Sequence, residues 1–157
     1  MVKKIVINSP LGRLGIRLHN EQILKLDFLE DNYSPQKPRD RFAHEVVRQL
    51  DAYFSDANFQ FNLPVDFAGT LFQQKVWKML QAIRCGQTYT YGELARKLDS
   101  GARAVGNACR KNPVPIIVPC HRVVSRNKIG GYSGQTDGKF IDYKHWLLQH
   151  EGSGLKK

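Results

Sequence analysis

Alternating apolar and polar residues near the start of the chain predict a small β-sheet. The strand-like runs are KKIVINS (3–9), LGRLGIRLH (11–19) and QILKLDFLE (22–30), separated by short turn segments. Apolar residues then recur at intervals of four from Phe42 to Phe54, which predicts one apolar helical face. Consecutive short strands favour a meander, and this helix would cover it.

The next part of the chain carries two helix-start signals. Thr70 and Gln73 have the spacing of a capping box, and the helix that follows is expected to stop at Gly86. Thr90 and Glu93 repeat the spacing at the start of a second, shorter helix. The segment at 59–69, between sheet and helices, is expected to be a short extended piece and a linker.

A third helix is predicted over 102–112, with Ser100 as its N-cap and Pro113 preventing its continuation. Two short helices joined by a turn of three or four residues form a helix-turn-helix unit, which is typical of DNA-binding proteins. The sequence therefore predicts an α+β protein whose second half is mainly helical.

The positive charge is confined to that helical half. Residues 1–67 contain 9 Lys and Arg against 9 Asp and Glu, whereas residues 68–157 contain 15 against 5. This change predicts two domains, 1–67 and 68–157. A concentrated positive field attracts polyanions, of which nucleic acid is the first candidate, although a merely solubilising surface is the alternative.

The predicted third helix has two unlike faces. The inward face is apolar and consists of Val105, Ala108 and Cys109. The outward face is small or basic and consists of Ala102, Arg103, Gly106, Asn107 and Arg110. Small residues would let the helix backbone approach DNA, although they would equally permit close helix packing within the protein.

Several classes of protein are disfavoured by composition. The chain has no apolar run long enough to span a membrane, and its N-terminal apolar run is too short for a secretory signal, so we expect a cytoplasmic protein. Its three cysteines, Cys85, Cys109 and Cys120, include no C-x-x-C pair. This pattern favours reduced thiols over a disulfide framework or a cysteine-rich zinc site.

Cys120 and His121 lie in the proline-framed stretch NPVPIIVPCHRVVS (112–125). The cysteine could be a nucleophile, a metal ligand or a packed core residue. Neighbouring side chains in a strand point to opposite faces, so a turn or a bridging water would be needed to link thiol and imidazole. Glu151 could orient the imidazole. A metal would find only two ligands in this pair, and we expect no metal site.

The motifs occur in an order that resembles one family. They are ARAVGNA (102–108), NPVPIIV (112–118), PCHRVV (119–124), GGYSG (130–134) and WLLQHEG (146–152). Together they resemble the O6-alkylguanine-DNA alkyltransferases, also called methylated-DNA-protein-cysteine methyltransferases. The resemblance implies a ribonuclease H-like N-terminal domain and a winged-helix-like C-terminal domain. It also implies a monomer without a cofactor that acts on double-stranded DNA carrying O6-alkylguanine.

The resemblance further implies the chemistry. An alkyl group would pass irreversibly from guanine O6, or less efficiently from thymine O4, onto Cys120 after base flipping. His121 would withdraw the thiol proton through a water, Glu151 would orient the imidazole, and Asn112 would brace the segment. The resemblance assigns the flipped nucleotide to Tyr91, Val123, Ser133 and Lys144, and the gap left in the duplex to Arg103. The other outward residues of the predicted third helix are expected to contact DNA and are Ala102, Gly106, Asn107 and Arg110.

Two departures from the family pattern are visible. The spacing between Tyr132 and Lys144 is longer than is common, and the segment before residue 68 contains no cysteine, so the zinc site of some relatives cannot be transferred here. Two other classes remain open. A non-catalytic helix-turn-helix protein would recognise alkylated DNA with an inert Cys120, and a cysteine hydrolase would turn over repeatedly.

Overall fold

The computed structural model describes residues 2–126, 130 and 138–152. It divides the chain into two compact units, Met1–Phe67 and Ala68–Lys157. Each unit buries its own set of apolar side chains.

The first unit contains the predicted meander. Strands β1 (Lys3–Ser9), β2 (Gly12–His19) and β3 (Gln22–Leu29) form an antiparallel sheet in that order. Ile5 lies opposite Ile16, and Ile16 lies opposite Leu26. Residues directly opposite each other share one face of a sheet, so these three side chains form a buried apolar row across it.

Helix α1 (Arg41–Ser55) covers this sheet and begins at Asp40, whose carboxylate accepts a hydrogen bond from the Ala43 amide at 2.8 Å. Its buried residues include Val46 and Leu50 from the predicted spacing of four and the neighbouring Tyr53, while Phe42 and Phe54 at the two ends of that spacing are half-buried. The extended segment that follows adds to the sheet at Ile23: the Ile23 amide donates to Pro64 O and the Asp66 amide donates to Ile23 O, both at 2.9 Å.

The second unit is mainly helical. In chain order it contains α2 (Leu71–Gln81), β4 (Tyr89–Thr90), α3 (Tyr91–Lys97), α4 (Ala102–Arg110), a 3₁₀ turn (Cys120–Arg122), β5 (Val123–Val124) and α5 (Lys139–His150). Trp77 of α2 is 1% exposed, and its indole Nε1 donates to Ala108 O of α4 at 2.9 Å. The buried indole thus satisfies its only donor while joining two helices. The α+β prediction is confirmed.

Both predicted capping boxes are formed. The Gln73 amide donates to Thr70 Oγ1 at 3.1 Å, and the Glu93 amide donates to Thr90 Oγ1 at the same distance. In each pair the longer side chain accepts from the backbone of the threonine in return. These contacts satisfy amides that have no partner within the first helical turn.

Three helix boundaries differ from the prediction. Helix α2 ends at Gln81 rather than near Gly86, and the carbonyl of Ile83 accepts instead from the Arg122 guanidinium at 2.5 Å. Helix α4 has Gly101, not Ser100, at its N-cap, with no side-chain capping bond, because the preceding turn places Asp99 at φ 53°. The same helix ends at Arg110 because the Asn112 side chain bonds to the segment that follows.

Within the described ranges, every helix is too short or too polar to cross a bilayer.

Candidate alkyl-transfer site

Cys120 and His121 lie in a 3₁₀ turn and not in a strand. The turn spans Cys120–Arg122 and is closed by the Arg122 amide, which donates to Pro119 O at 3.1 Å. Cys120 is 6% exposed and His121 is fully buried. The sequence alone did not show whether the chain bends here; the 3₁₀ turn provides this bend and directs both side chains into the protein.

Asn112 braces the segment that leads to this turn. Its Nδ2 donates to Val118 O at 2.8 Å, and its Oδ1 accepts from the Val114 amide at 3.0 Å. Between these anchors Ile116 has φ 75° although it is 1% exposed and β-branched. Such a conformation costs about 1–3 kcal/mol and persists only when surrounding contacts hold it. The approach to Cys120 is therefore held in a strained shape.

Glu151, immediately after α5, joins the imidazole to a guanidinium. His121 Nε2 lies 2.8 Å from Glu151 Oε2, while Arg122 donates from Nε to Oε1 and from Nη2 to Oε2, both at 2.9 Å. Burial opposes ionisation of Glu151, but the hydrogen bonds from His121 and Arg122 outweigh it and lower its pKa to about 2. An ionised carboxylate only accepts hydrogen bonds, so Nε2 of His121 must carry the proton.

The other ring nitrogen of His121 faces no hydrogen-bond partner among the described residues, although it is buried. Burial also lowers the pKa of His121, since the interior disfavours its charged form. The imidazole is consequently neutral at physiological pH, with a lone pair on Nδ1. A neutral imidazole held in this tautomer by a carboxylate can accept a proton.

Lys144 of α5 is fully buried beside the same turn. Its Nζ donates to Val123 O at 2.7 Å and lies 5.9 Å from the centroid of the Tyr91 ring. Burial lowers its pKa to about 8, against the opposing influence of Cys120 and then of Cys109. At neutral pH the amine still carries a positive charge, and a charge near a thiol favours the thiolate.

Tyr91 begins α3 directly after β4, and β4 pairs in parallel with β5, the strand after the 3₁₀ turn. Tyr89 lies opposite Val123 in this pairing. Burial raises the pKa of Tyr91, which therefore remains a neutral phenol. A Cβ at Gly130 would lie only 3.2 Å from its ring, so this glycine leaves room for it.

The two faces of α4 are arranged as predicted. The buried residues are Val105, Ala108 and Cys109, and the exposed ones are Ala102, Arg103, Asn107 and Arg110, with Gly106 half-buried. Burial raises the pKa of Cys109, which keeps this thiol protonated. A groove of about 790 Å³ lies beside the helix start, where Tyr91 and Ala102 meet the exposed Arg96 and Arg126.

The structure thus brings most of the predicted site residues together. The turn that carries Cys120 also carries His121, which is hydrogen-bonded to Glu151. Lys144 donates to Val123 O and lies over the Tyr91 ring, and Asn112 braces the approach. Ser133 lies outside the described residues. The sequence reasoning did not identify Arg122, nor Arg96 and Arg126 in the groove. The excess of basic residues after residue 67 was the available signal for them. In the described part of the chain, no cluster of His, Cys, Asp or Glu is suited to hold a metal ion.

Comparison with known proteins accounts for nearly the whole chain. Residues 2–67 match the family described as 6-O-methylguanine DNA methyltransferase, ribonuclease-like domain. Residues 71–153 match the family described as 6-O-methylguanine DNA methyltransferase, DNA binding domain.

Full-length relatives agree with these matches. The chain is 39% identical to the methylated-DNA–protein-cysteine methyltransferase of Methanosarcina mazei, over 96% of this chain and 98% of that protein. The crystal structure of Mycobacterium tuberculosis O6-methylguanine methyltransferase superposes with a TM-score of 0.82 at 38% identity, covering 98% and 94% of the two chains. A structure of M. tuberculosis OGT in complex with DNA gives 0.79 at 40% identity, covering 96% and 93%.

The fold and these relatives define a DNA-binding repair enzyme that transfers an alkyl group to a protein cysteine. The chain belongs to the 6-O-methylguanine DNA methyltransferase family. The predicted resemblance is confirmed, and the activity is that of a methylated-DNA–protein-cysteine S-methyltransferase.

Proposed function

We propose that the protein repairs double-stranded DNA by moving the alkyl group of O6-alkylguanine onto Sγ of Cys120, once per chain. The observation that carries this proposal is the buried Cys120 beside a neutral His121 whose Nε2 donates to the Glu151 carboxylate at 2.8 Å. This is the arrangement expected for activating a weak nucleophile through an oriented base. O4-alkylthymine would be a poorer substrate, and we propose that the protein acts as a monomer.

The proposed reaction is a single displacement. The thiol proton passes through a water to His121 while the positive charge of Lys144 favours the thiolate. The sulfur–carbon bond forms as the carbon–O6 bond breaks, and the electron pair of that bond stays with guanine. The guanine ring gains a proton, for which the neutral phenol of Tyr91 is the proposed source. The thioether product has no route back to a thiol, so each chain reacts once.

Guanine O6 lies inside a stacked duplex, so the base must first leave the helix at a cost of a few kcal/mol. We propose that α4 enters the minor groove, where Ala102 and Gly106 allow close approach and Arg103 fills the place of the flipped base. Asn107 and Arg110 would contact the DNA backbone nearby. Phosphate contacts are expected to dominate affinity, because alkylation can occur at any sequence, and binding should be salt-sensitive.

Backbone groups at Val123 and Ser133 would then read the flipped base. The hydrogen bond from Lys144 to Val123 O supports this role, because it fixes the backbone of β5 beside the thiol. The same lysine lies over the Tyr91 ring, so one buried side chain would align both groups that meet the base.

The test uses a duplex with one O6-methylguanine and intact-mass measurement of the protein after reaction. The wild-type chain should gain one methyl group, which peptide mapping should locate on Cys120. Cys120→Ala should gain nothing while still binding the duplex, and Cys109→Ala, which removes a second buried thiol, should still be methylated. Retained binding without mass gain in the wild type would favour an inert DNA-binding protein, and repeated turnover would favour a hydrolase.

A further inference from the structure

We infer that Arg122 is a positioning residue of the alkyl-transfer site, because its guanidinium holds Glu151 in the orientation and charge state that leave Nδ1 of His121 as the base. The inference rests on the proposed function and assigns that site a residue for which the family resemblance supplied no role.

Arg122 makes a bidentate pair with the Glu151 carboxylate and a third hydrogen bond to the backbone. Nε and Nη2 each donate to a different oxygen of Glu151 at 2.9 Å, and Nη1 donates to Ile83 O at 2.5 Å. The side chain of Arg122 is 12% exposed, whereas that of Glu151 is 0% exposed. Bidentate arginine–carboxylate pairs fix both oxygens of the carboxylate in space. Oε2 is thereby directed at Nε2 of His121.

The charge of Arg122 has a separate consequence for His121. A buried carboxylate without a cationic partner is costly, and the nearest group that could neutralise it is the imidazole. Drawing a second proton onto His121 would convert both ring nitrogens into donors and remove the base. Arg122 supplies the compensating charge instead, so the imidazole can remain neutral.

Arg122 and Glu151 are the charged groups that matter most for the protonation state of His121. The C-terminal helix and its end contribute Lys144 and Glu151, and the 3₁₀ turn itself contributes Cys120 and Arg122. Burial lowers the pKa of His121 most strongly, Glu151 raises it, and Arg122 and then Lys144 lower it further. The buried face of the neighbouring α2 is uncharged and consists of Val76, Trp77 and Leu80.

The first experiment measures the single-turnover rate of methyl transfer between pH 5 and pH 9 for the wild type, Arg122→Gln and Arg122→Lys. Removing the positive charge should move the acid limb of the profile to higher pH by about 1–3 units. Lysine keeps the charge but not the bidentate pair, so Arg122→Lys should keep the acid limb and lower the plateau rate about 10- to 100-fold. A residue that only supports packing would lower the reactive fraction without moving the profile.

The second experiment reads His121 directly by ¹⁵N NMR in the Cys120→Ala background, where no transfer occurs. The parent protein should show the Nε2–H tautomer, and adding Arg122→Gln should raise the titration midpoint of the imidazole. This measurement does not depend on alkyl transfer. If the wild type failed to react with the lesion, the proposed function would fall while the effect of Arg122 on His121 could still be decided.

An acid limb and an imidazole midpoint that are unchanged in Arg122→Gln would overturn the inference, whatever happened to the plateau rate. If Arg122→Gln does not fold, as judged by near-ultraviolet circular dichroism, Arg122→Lys decides the question. A lysine variant with the wild-type plateau rate and tautomer would show that the bidentate pair positions nothing.

Discussion

Replacing Asn112 by alanine should loosen the segment that carries Cys120. The substitution removes the donor to Val118 O and the acceptor for the Val114 amide, at 2.8 and 3.0 Å. Val114 and Val118 are both 0% exposed, so their backbone groups cannot turn to water. Val118 O keeps the Cys120 amide as a donor at 2.8 Å, whereas the Val114 amide loses its partner. A buried polar group left without a partner costs about 1–3 kcal/mol, and we expect a loss of about that size in the free energy of unfolding.

The assay can isolate the second unit of the chain. The protein has two tryptophans, Trp77 and Trp146, and both lie in that unit, so tryptophan fluorescence during urea unfolding reports on it alone. Asn107→Ala is the matched control, because Asn107 is exposed on α4 and should change stability by less than about 0.5 kcal/mol.

Activity gives a second reading of the same variant. The segment leading to Cys120 is strained at Ile116, so without the Asn112 side chain it should hold the thiol less precisely. Asn112→Ala should therefore also slow single-turnover transfer when the protein is fully folded and no urea is present. If Asn112→Ala unfolded at the wild-type midpoint and reacted at the wild-type rate, the two side-chain bonds would have no bracing role.

Four further outcomes are expected. Glu151→Gln should slow single-turnover transfer less than Cys120→Ala does, because the nucleophile remains; an unchanged rate would break the proposed relay. Arg103→Ala should slow repair of an O6-methylguanine duplex without shifting the urea midpoint, since its side chain is exposed. Lys144→Met should lower the free energy of unfolding by about 1–3 kcal/mol, because the buried Val123 O loses the hydrogen bond from Nζ, and it should slow transfer; wild-type stability and rate would contradict this. Finally, the free energy of unfolding should fall as the pH drops. The folded pKa of His121 lies below its usual 6.5, so below that pH the unfolded chain binds a proton that the folded chain does not, and the fold is destabilised. The stabilising contribution of ionised Glu151 is lost as the pH falls from about 4.5 toward 2. Urea titrations from pH 8 to pH 3 check the sign, and a flat profile would refute it.

Features fixed by neighbours along the chain were predictable from the sequence. The capping boxes at Thr70 and Thr90 need only residues three positions apart, and both are formed. The meander and the apolar face of α1 follow from periods of two and four. The inward face of α4 was likewise predictable, because a helix places its residues by spacing alone.

Features that depend on distant residues were not predictable in this way. Helix α2 stops before Gly86, and the carbonyl of Ile83 that follows it accepts from Arg122, which lies far along the chain. The two-residue strands β4 and β5 are too short to leave a periodic signal, yet they align Tyr89 with Val123. The 3₁₀ turn at Cys120 depends on tertiary packing, since nothing local distinguishes it from a strand.

The backbone around the thiol shows why these distant contacts matter for reactivity. Between α4 and α5 the described chain forms only one short turn and one short strand, so many carbonyls there lack a partner within regular structure. Buried carbonyls must still be satisfied. Long side chains donate to two of them, Asn112 to Val118 O and Lys144 to Val123 O, and Arg122 of the same segment donates to Ile83 O after α2. Two of these donors also carry the charges that surround His121 and Cys120. A substitution at either position therefore changes the shape of the site and its electrostatics together, which is why pH profiles and stability must be measured on the same variants.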